Sequence, residues 1–319
     1  MRVVMFMASQ YGFECYKAVK EIKDIEIAGI LTPPSHFVLR YDKDKTKQMS
    51  NTIYREAVIE GKEIHVPVYV ADRMNGNETV HTIQNWKPDL IVVSGWYHII
   101  KEEILRIPPK GIIGLHSSLL PRYRGGAPLV WQLINGEKEA GITLFYMEQG
   151  TDTGDIIGQE KVAIEEDDDI GTLYEKVGKK GIALLKRYLP QIADGCAPRK
   201  KQTDIEKYCV YPQRKKEDGR IDWSKLPADI YNFVRAQTRP YPGAFSYYGE
   251  YQVFIWKCKV VSIEERDSVV GKIIDIWEQD GKTCPVIATK EQGYGIQIID
   301  FSIQSEDVTV EIKKGERFM

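Results

Sequence analysis

Long apolar runs are missing from this sequence. No stretch approaches the ~20 consecutive apolar residues that a membrane-spanning helix needs. The chain opens on a short, mostly apolar run, but no small-residue cleavage site follows it. We therefore expect a buried first strand rather than a signal peptide, and no membrane partner.

Cysteine is scarce as well. The five cysteines are scattered without a CxxC pair, and the histidines show no HExxH spacing. These patterns argue against a disulfide framework and against a zinc site, and they fit a reducing compartment such as the cytoplasm. We expect no bound metal.

Neither sign of charge is in excess. The 319 residues carry 44 Lys+Arg against 46 Asp+Glu, a formal net charge of −2. Near-neutrality weakens the case for a nucleic-acid partner without excluding one. Hydrophobic residues make up 43% and charged residues 28%, so the chain has the composition of a globular protein and global disorder is excluded.

The order of apolar segments predicts two domains, residues 1–203 and residues 204–319. In the first, buried strands alternate with helices, which predicts an α/β fold with a doubly wound, mainly parallel sheet. In the second, short strands and turn signals predict a small antiparallel β-barrel. The predicted strands are 3–8, 25–31, 64–70, 89–94, 112–115, 141–147, 244–248, 252–259, 272–277, 286–289, 295–301 and 308–312. The predicted helices are 12–25, 52–61, 78–86, 127–134, 169–192 and 226–236.

Two common nucleotide-binding motifs are absent. The turn after the first predicted strand runs from Ala8 to Gly12 without the GxGxxG spacing of dinucleotide-binding folds. A GxxxxGK[ST] loop for nucleoside triphosphates is missing too. Binding of NAD(P) or ATP through these motifs is therefore not expected.

A histidine and an aspartate follow predicted strands. His116 enters a loop rich in proline and glycine, and Asp152 lies 36 residues later in a second glycine-rich loop. Neighbouring strands would bring these two loops together at the same edge of the sheet. A carboxylate beside an imidazole fixes its tautomer and raises its basicity, which is general-base chemistry. The alternative is an ordinary surface or core role for either residue.

The segment around His116 resembles a known family. From this position the chain reads His-Ser-Ser-Leu-Leu-Pro-Arg-Tyr-Arg-Gly, followed by a helix with Trp131 and by Gly-x-Thr, Met and Asp-x-Gly. This pattern is similar to the N10-formyltetrahydrofolate-dependent formyltransferases, which include methionyl-tRNA, glycinamide ribonucleotide and sugar N-formyltransferases. Residues 219–223 and 234–245 resemble the start of the C-terminal domain of the tRNA and sugar members. The resemblance implies a Rossmann-like formyltransferase domain and an OB-like C-terminal domain.

The resemblance also implies roles for individual residues. His116 corresponds to the base or oxyanion-side catalyst, and Asp152 to the residue that orients it and moves protons. The folate co-substrate is expected against residues 94–100, with ordinary packing after a strand as the alternative for each side chain. The implied folate-binding residues are Gly95, Trp96, Tyr97, Ile99, Leu120 and Asp152.

Gly114 is a departure from the family pattern. The family has an asparagine at this position, whose amide would donate to the developing oxyanion. Loss of such a donor costs about 2.7–4 kcal/mol in other acyl-transfer enzymes. Either another donor or a water replaces it, or the chain is a weakened or repurposed member, or the sequence is an engineered variant. Because His116 and Asp152 are retained, we expect an active enzyme.

The acceptor predicted from the sequence is a nucleotide-linked amino sugar. Residues 240–247 are similar to aminoarabinose-type sugar N-formyltransferases, which implies a 4-amino-deoxy sugar on UDP or dTDP. The C-terminal barrel of the sugar members often serves dimerisation, so the resemblance also implies a homodimer. Arginine can engage diphosphate oxygens bidentately and tyrosine can stack on a base. The candidate substrate-binding residues are Ser117, Ser118, Arg122, Arg124, Tyr211 and Arg214.

Methionyl-tRNA is the alternative acceptor. Affinity for tRNA depends on contacts between basic residues and phosphate. Because residues 205–319 carry 17 Lys+Arg against 18 Asp+Glu, their charge balance argues against a tRNA-binding barrel. The predicted loop at 40–47 has four basic residues and two aspartates, a mixture that fits a solvated loop.

A further alternative is a low-activity member that binds folate or sugar, because Gly114 lacks the amide. A purine-synthesis formyltransferase fits least, since it would not need the C-terminal domain.

Overall fold

The computed structural model describes the chain with five internal gaps. The predicted helix at 52–61 and the predicted loop at 40–47 fall outside the described residues. Two compact units are present, and their segments interleave along the chain. The described residues are 1–38, 48–51, 65–264, 269–279, 281–304 and 311–319. The first unit comprises 1–125, 141–162 and 176–210, and the second comprises 126–140, 163–175 and 211–319.

Helices and strands alternate through the first unit, and strands dominate the second. None of the helices within the described ranges has the length and apolar character required to cross a bilayer. The strands are β1 (Arg2–Met7), β2 (Glu26–Thr32), β3 (His36–Val38), β4 (Gln48–Ser50), β5 (Val68–Val70), β6 (Leu90–Ser94), β7 (Ile112–His116), β8 (Arg124–Gly125), β9 (Glu139–Tyr146), β10 (Ile156–Ala163), β11 (Val210–Tyr211), β12 (Ala244–Tyr248), β13 (Tyr251–Ser262), β14 (Ile273–Gln279), β15 (Lys282–Ala288) and β16 (Tyr294–Ile303). The helices are α1 (Gln10–Lys20), α2 (Asn77–Trp86), α3 (Glu102–Leu105), α4 (Pro128–Ile134), α5 (Ile170–Ala193) and α6 (Pro227–Arg235).

A seven-stranded sheet forms the centre of the first unit. Its order is β10-β9-β7-β6-β1-β2-β5, and the pairs from β7 through β6, β1 and β2 to β5 are parallel. The apolar residues of β1 and all of β6 are buried, as expected for strands covered on both faces. The predicted α/β fold with a mainly parallel sheet is confirmed.

The pairing of β9 with β7 differs from the expectation. These strands run antiparallel, so that Thr143 lies opposite His116 and Tyr146 lies opposite Ile113. The end of β9 therefore lies beside the start of β7, and the expectation that the strands before the His116 and Asp152 loops end at the same edge of the sheet is wrong. An apolar run has the same pattern in either direction, so the sequence did not determine the direction. Strand β10 at this edge was not predicted.

An antiparallel sheet of five strands forms the second unit. Its order is β12-β13-β16-β15-β14, which confirms the predicted antiparallel C-terminal fold. The core includes the buried Trp223, whose Nε1 donates to Ser246 Oγ at 2.9 Å. The strand predicted at 308–312 lies mostly outside the described residues, and the domain boundary between residues 203 and 204 stays a prediction.

The five cysteines provide a test of these cores. Cys15, Cys258 and Cys284 are buried, whereas Cys196 and Cys209 are exposed. Burial raises the pKa of the Cys15 thiol and that of the Cys258 thiol to about 12. We expect an alkylating reagent at pH 8 to modify only the two exposed cysteines in the native protein, because the thiolate is the reactive form.

Peptide mass spectrometry after a short pulse of reagent measures this pattern. A denatured sample, in which all five thiols should react, is the control. Rapid modification of Cys15 in the native protein would contradict the buried position of α1.

Candidate active site

His116 stands at the end of β7 with a side chain that is 10% exposed. Its Nε2 lies 2.8 Å from the backbone oxygen of Tyr123. A carbonyl oxygen can only accept, so Nε2 must carry a hydrogen and donate it. In the neutral imidazole the lone pair is therefore on Nδ1, and Nδ1 is the nitrogen that can take up a proton.

The turn after His116 holds the Tyr123 carbonyl in place. Ser118 Oγ donates to the carbonyl of Arg122 at 2.6 Å, and Thr143 Oγ1 donates to the carbonyl of Ser118 at 2.6 Å. Tyr123 itself has a φ of +56°, in the left-handed region that non-glycine residues seldom adopt. The orientation of the imidazole thus depends on a strained residue that its neighbours hold in place.

Asp152 faces the other nitrogen of the imidazole. Its Oδ2 lies 3.6 Å from His116 Nδ1 and accepts a hydrogen bond from the Gly125 backbone N–H at 2.8 Å. While the imidazole is neutral, both facing atoms are acceptors, so the contact becomes strongly attractive once Nδ1 binds a proton. The pair is therefore arranged to accept a proton at Nδ1 and to stabilise the resulting imidazolium.

Gly114 has no side chain to present to this pair, and Met147 takes up the adjoining space. A Cβ placed on Gly114 would lie 3.1 Å from Met147 Sδ and 3.3 Å from its Cγ. This separation is tighter than an ordinary van der Waals contact, so a larger residue at position 114 requires Met147 to move.

The segment after β6 forms a turn whose geometry requires glycine. Gly95 has a φ of +57°, and a Cβ there would lie 1.8 Å from Ser9 Oγ. The next residue, Trp96, packs its ring on Phe6 at 5.3 Å, and its buried Nε1 has no hydrogen-bond partner among the residues that the structure describes. Ile99 is 71% exposed.

Two further predicted folate-binding residues have packing contacts of their own. The ring of Tyr97 lies 5.9 Å from that of Phe37. Leu120 is buried in a small cluster with Phe145 and Ile156. Contact of these residues with folate stays a prediction.

The predicted substrate-binding residues of the first unit differ in exposure. Arg124 is buried, and its guanidinium donates to the carbonyls of Thr151, Ile205 and Tyr208 at 3.4, 3.1 and 3.1 Å. Arg122 is half-buried, with its guanidinium 5.6 Å from the Tyr123 ring. The two serines are half-buried Ser117 and buried Ser118.

Tyr211 and Arg214 belong to the second unit. The Tyr211 ring lies 5.3 Å from that of Trp131. Arg214 is buried, which lowers the pKa of its guanidinium below the usual value. It donates to Gln237 Oε1 at 2.7 Å and to the Asp218 carbonyl. Arg214 thus has partners within its own unit, and the predicted contact of either residue with substrate stays a prediction.

Two contributions to the site were not predicted from the sequence. One is the Tyr123 carbonyl, a backbone group that no motif marks as functional. The other is Gln202, whose Nε2 donates to the carbonyls of Asp152 and Gly154, each at 2.8 Å. Gln202 lies between the predicted helix 169–192 and the predicted domain boundary, and the sequence gives no signal that its side chain reaches a loop 50 residues earlier in the chain.

Models of known protein families match both parts of the chain. The model described as formyl transferase matches residues 3–189, and the one described as formyl transferase, C-terminal domain, matches residues 214–307.

Curated relatives are similar over nearly the whole chain. The methionyl-tRNA formyltransferase of Clostridioides difficile (strain 630) is 35% identical over 281 residues, which cover 88% of this chain and 87% of the relative. The methionyl-tRNA formyltransferase of Alkaliphilus oremlandii (strain OhILAs) is 33% identical over 303 residues, covering 95% and 92%.

Solved structures share the fold at lower identity. HypX from Aquifex aeolicus in complex with tetrahydrofolic acid is 18% identical with a TM-score of 0.60, over 96% of this chain and 44% of HypX. This chain thus spans less than half the length of HypX. The N-formyltransferase from Helicobacter canadensis, in complex with folinic acid and dTDP-3-aminofucose, is 17% identical with a TM-score of 0.58, over 93% and 98%.

The hydrogen bond between His116 and Tyr123 predicts the neutral tautomer. We expect nitrogen NMR spectra of the neutral imidazole of His116 to show Nε2 protonated and Nδ1 unprotonated. The signals are assigned by their absence from a His116→Gln variant. A protonated Nδ1 in the neutral form would contradict the arrangement.

Proposed function

The chain belongs to the formyl transferase family, and we propose that it transfers the formyl group of N10-formyltetrahydrofolate to the amino group of methionyl-tRNA. The observation that carries this choice of acceptor is the similarity, at 35% and 33% identity over most of both chains, to two methionyl-tRNA formyltransferases. Methionyl-tRNA is the acceptor that the sequence offered as the alternative to an amino sugar.

The chemistry follows from the pair formed by His116 and Asp152. The bound folate supplies the formyl carbon that the amine attacks. His116 Nδ1 takes the proton that the amine loses as the new C–N bond forms, and Asp152 Oδ2 stabilises the imidazolium. The same proton is returned to N10 of the folate as its bond to the formyl carbon breaks. The step therefore leaves both residues in their starting states.

The turn after β6 has groups that fit a folate ring. Trp96 Nε1 is a buried donor without a partner among the described residues, so an acceptor on the ligand would satisfy it. Asn75 fixes the backbone beside it, because its side chain donates to the Ile99 carbonyl and accepts from the Lys101 N–H, both at 2.9 Å. We propose that Gly95, Trp96 and Ile99 hold the ring, with Tyr97 and Leu120 beside them.

A nucleotide-linked amino sugar is the second candidate acceptor. The balance of 17 basic and 18 acidic residues over 205–319 favours it, because tRNA binding depends on contacts with phosphate. In this case a 4-amino-deoxy sugar on UDP or dTDP would take the formyl group, and Ser117 and Arg122 of the first unit would be among its contacts.

We also propose a cytoplasmic location and a homodimer. The five cysteines are all unpaired, which fits a reducing compartment. Sedimentation analysis of the purified protein measures the assembly state.

A transfer assay identifies the acceptor. Purified protein receives N10-formyltetrahydrofolate with either methionyl-tRNA or a panel of UDP- and dTDP-linked amino sugars, and mass spectrometry detects one added formyl group. We expect transfer to methionyl-tRNA, with an affinity that falls as salt is raised. His116→Ala should lower the rate by about 10²–10⁴-fold, because a positioned base is lost. The exposed His81 on α2 provides the matched control, His81→Ala.

Each outcome of this assay has a distinct meaning. Transfer to a sugar nucleotide and not to tRNA would replace the proposed acceptor by the second candidate. Folate binding without transfer to any acceptor would indicate a low-activity member.

The contact between Gly114 and Met147 predicts how an added amide behaves. We expect Gly114→Asn alone to leave kcat unchanged or lower, since Met147 lies over this position. In a Met147→Ala background the same change should raise kcat by about tenfold or more, as an oxyanion donor is worth about 10²–10³-fold elsewhere. Met147→Ala alone is the control. An equal gain in both backgrounds would show that Met147 does not exclude the amide, and no gain in either would show that another donor serves the oxyanion.

A further inference from the structure

The segment that follows α5 runs alongside the loop that holds Asp152. Lys200 and Ile156 exchange two backbone hydrogen bonds, from Ile156 N to Lys200 O at 2.8 Å and from Lys200 N to Ile156 O at 2.9 Å. This antiparallel bridge fixes the segment just beyond the Asp152 loop and places Gln202, two residues later, beside it.

Gln202 donates both of its amide hydrogens to that loop. Its Nε2 donates to the carbonyl oxygen of Asp152 at 2.8 Å and to that of Gly154 at 2.8 Å. Both partners are acceptors, so the amide must present its nitrogen to them and cannot be flipped. The side chain therefore holds the backbone on either side of Thr153.

The loop needs such support because its backbone is strained. Asp152 has a φ of +54°, in the left-handed region that non-glycine residues seldom adopt. At Gly154 a Cβ would lie 1.7 Å from the Tyr146 carbonyl, so the chain passes too close to β9 for any side chain. Without the two donors of Gln202, the Asp152 carbonyl would lose a partner that keeps this conformation.

Arg124 joins the same two segments by a second route. Its guanidinium donates to the carbonyl of Thr151, next to Asp152, and to the carbonyls of Ile205 and Tyr208 in the segment after Gln202. The segment 200–208 is therefore attached to the Asp152 loop on both sides of the carboxylate.

We infer that Gln202 is a positioning residue, which holds the Asp152 carboxylate against His116 by fixing the carbonyls of Asp152 and Gly154. The inference rests on the proposed function, in which Asp152 stabilises the protonated His116. Its effect is on geometry: Asp152 Oδ2 is 2.8 Å from the Gly125 N–H and 3.6 Å from His116 Nδ1. A displacement of about 1 Å in such a constellation can cost about 10²-fold in rate.

The test compares two glutamines in the same unit. Gln202→Glu keeps the shape and removes both donors, and Gln202→Met removes them without adding charge. The matched control is Gln191→Glu, because Gln191 is also half-buried and donates to a carbonyl, that of Arg187 in α5. We expect both Gln202 variants to lower kcat by about 10–100-fold, with the KM for the formyl donor within about threefold of the wild type.

Two readouts separate positioning from a general loss of structure. In an Asp152→Asn background, Gln202→Met should lower kcat by less than about threefold, because the carboxylate it positions is gone. Hydrogen exchange of the peptide covering 147–155 should speed up in the Gln202 variants and not in Gln191→Glu. Gln202→Met serves if Gln202→Glu does not fold.

Several results would overturn the inference. One is unchanged hydrogen exchange of the peptide 147–155 in the Gln202 variants. Another is a kcat of the Gln202 variants equal to that of an active wild-type enzyme. The third is an equal fall in kcat when Gln202→Met is made in the wild-type and in the Asp152→Asn backgrounds. If the wild type transfers formyl to no acceptor, the proposed function fails. The exchange measurement then decides alone whether Gln202 holds the loop.

Discussion

The hydrogen bond from His116 Nε2 to the Tyr123 carbonyl, 2.8 Å long, is the contact on which the rest of the site depends. It fixes the tautomer of the imidazole and so determines that Nδ1 is the nitrogen that faces Asp152. The turn around Ser118 places the carbonyl, the Gly125 N–H places the carboxylate, and β7 places the imidazole. Each of these contacts lies within the first unit, so one folded body holds the proton-accepting pair.

Two residues with strained backbone hold this pair. Tyr123 and Asp152 both have positive φ, and each is held by hydrogen bonds that come from other parts of the chain. Such conformations persist only where the surroundings favour them strongly. The strained residues bring together groups from β7, from the loop after β9 and from the segment after α5. This arrangement explains how Asp152 reaches His116 although β7 and β9 are antiparallel.

Gly114 leaves no side chain beside the proton-accepting pair. Met147 lies against the glycine, so a thioether occupies the space next to it. The C-terminal region carries no excess of positive charge, while the curated relatives are methionyl-tRNA formyltransferases. Net charge reflects only the sum of the side chains, whereas recognition depends on where the charges lie on the surface.

The sequence by itself determined the mainly parallel sheet of the first unit and the antiparallel sheet of the second, because the spacing of apolar residues and the turn residues reflect which positions are buried. It also identified His116 and Asp152 as candidate catalytic residues. Only the tertiary structure decided the direction of β9, the packing of Met147 over Gly114, the tautomer of His116 and the contact of Gln202 with the Asp152 loop. These features depend on backbone groups and on segments far apart in the chain. The pattern of side chains along one segment does not show which backbone carbonyl of a distant segment a given side chain will contact.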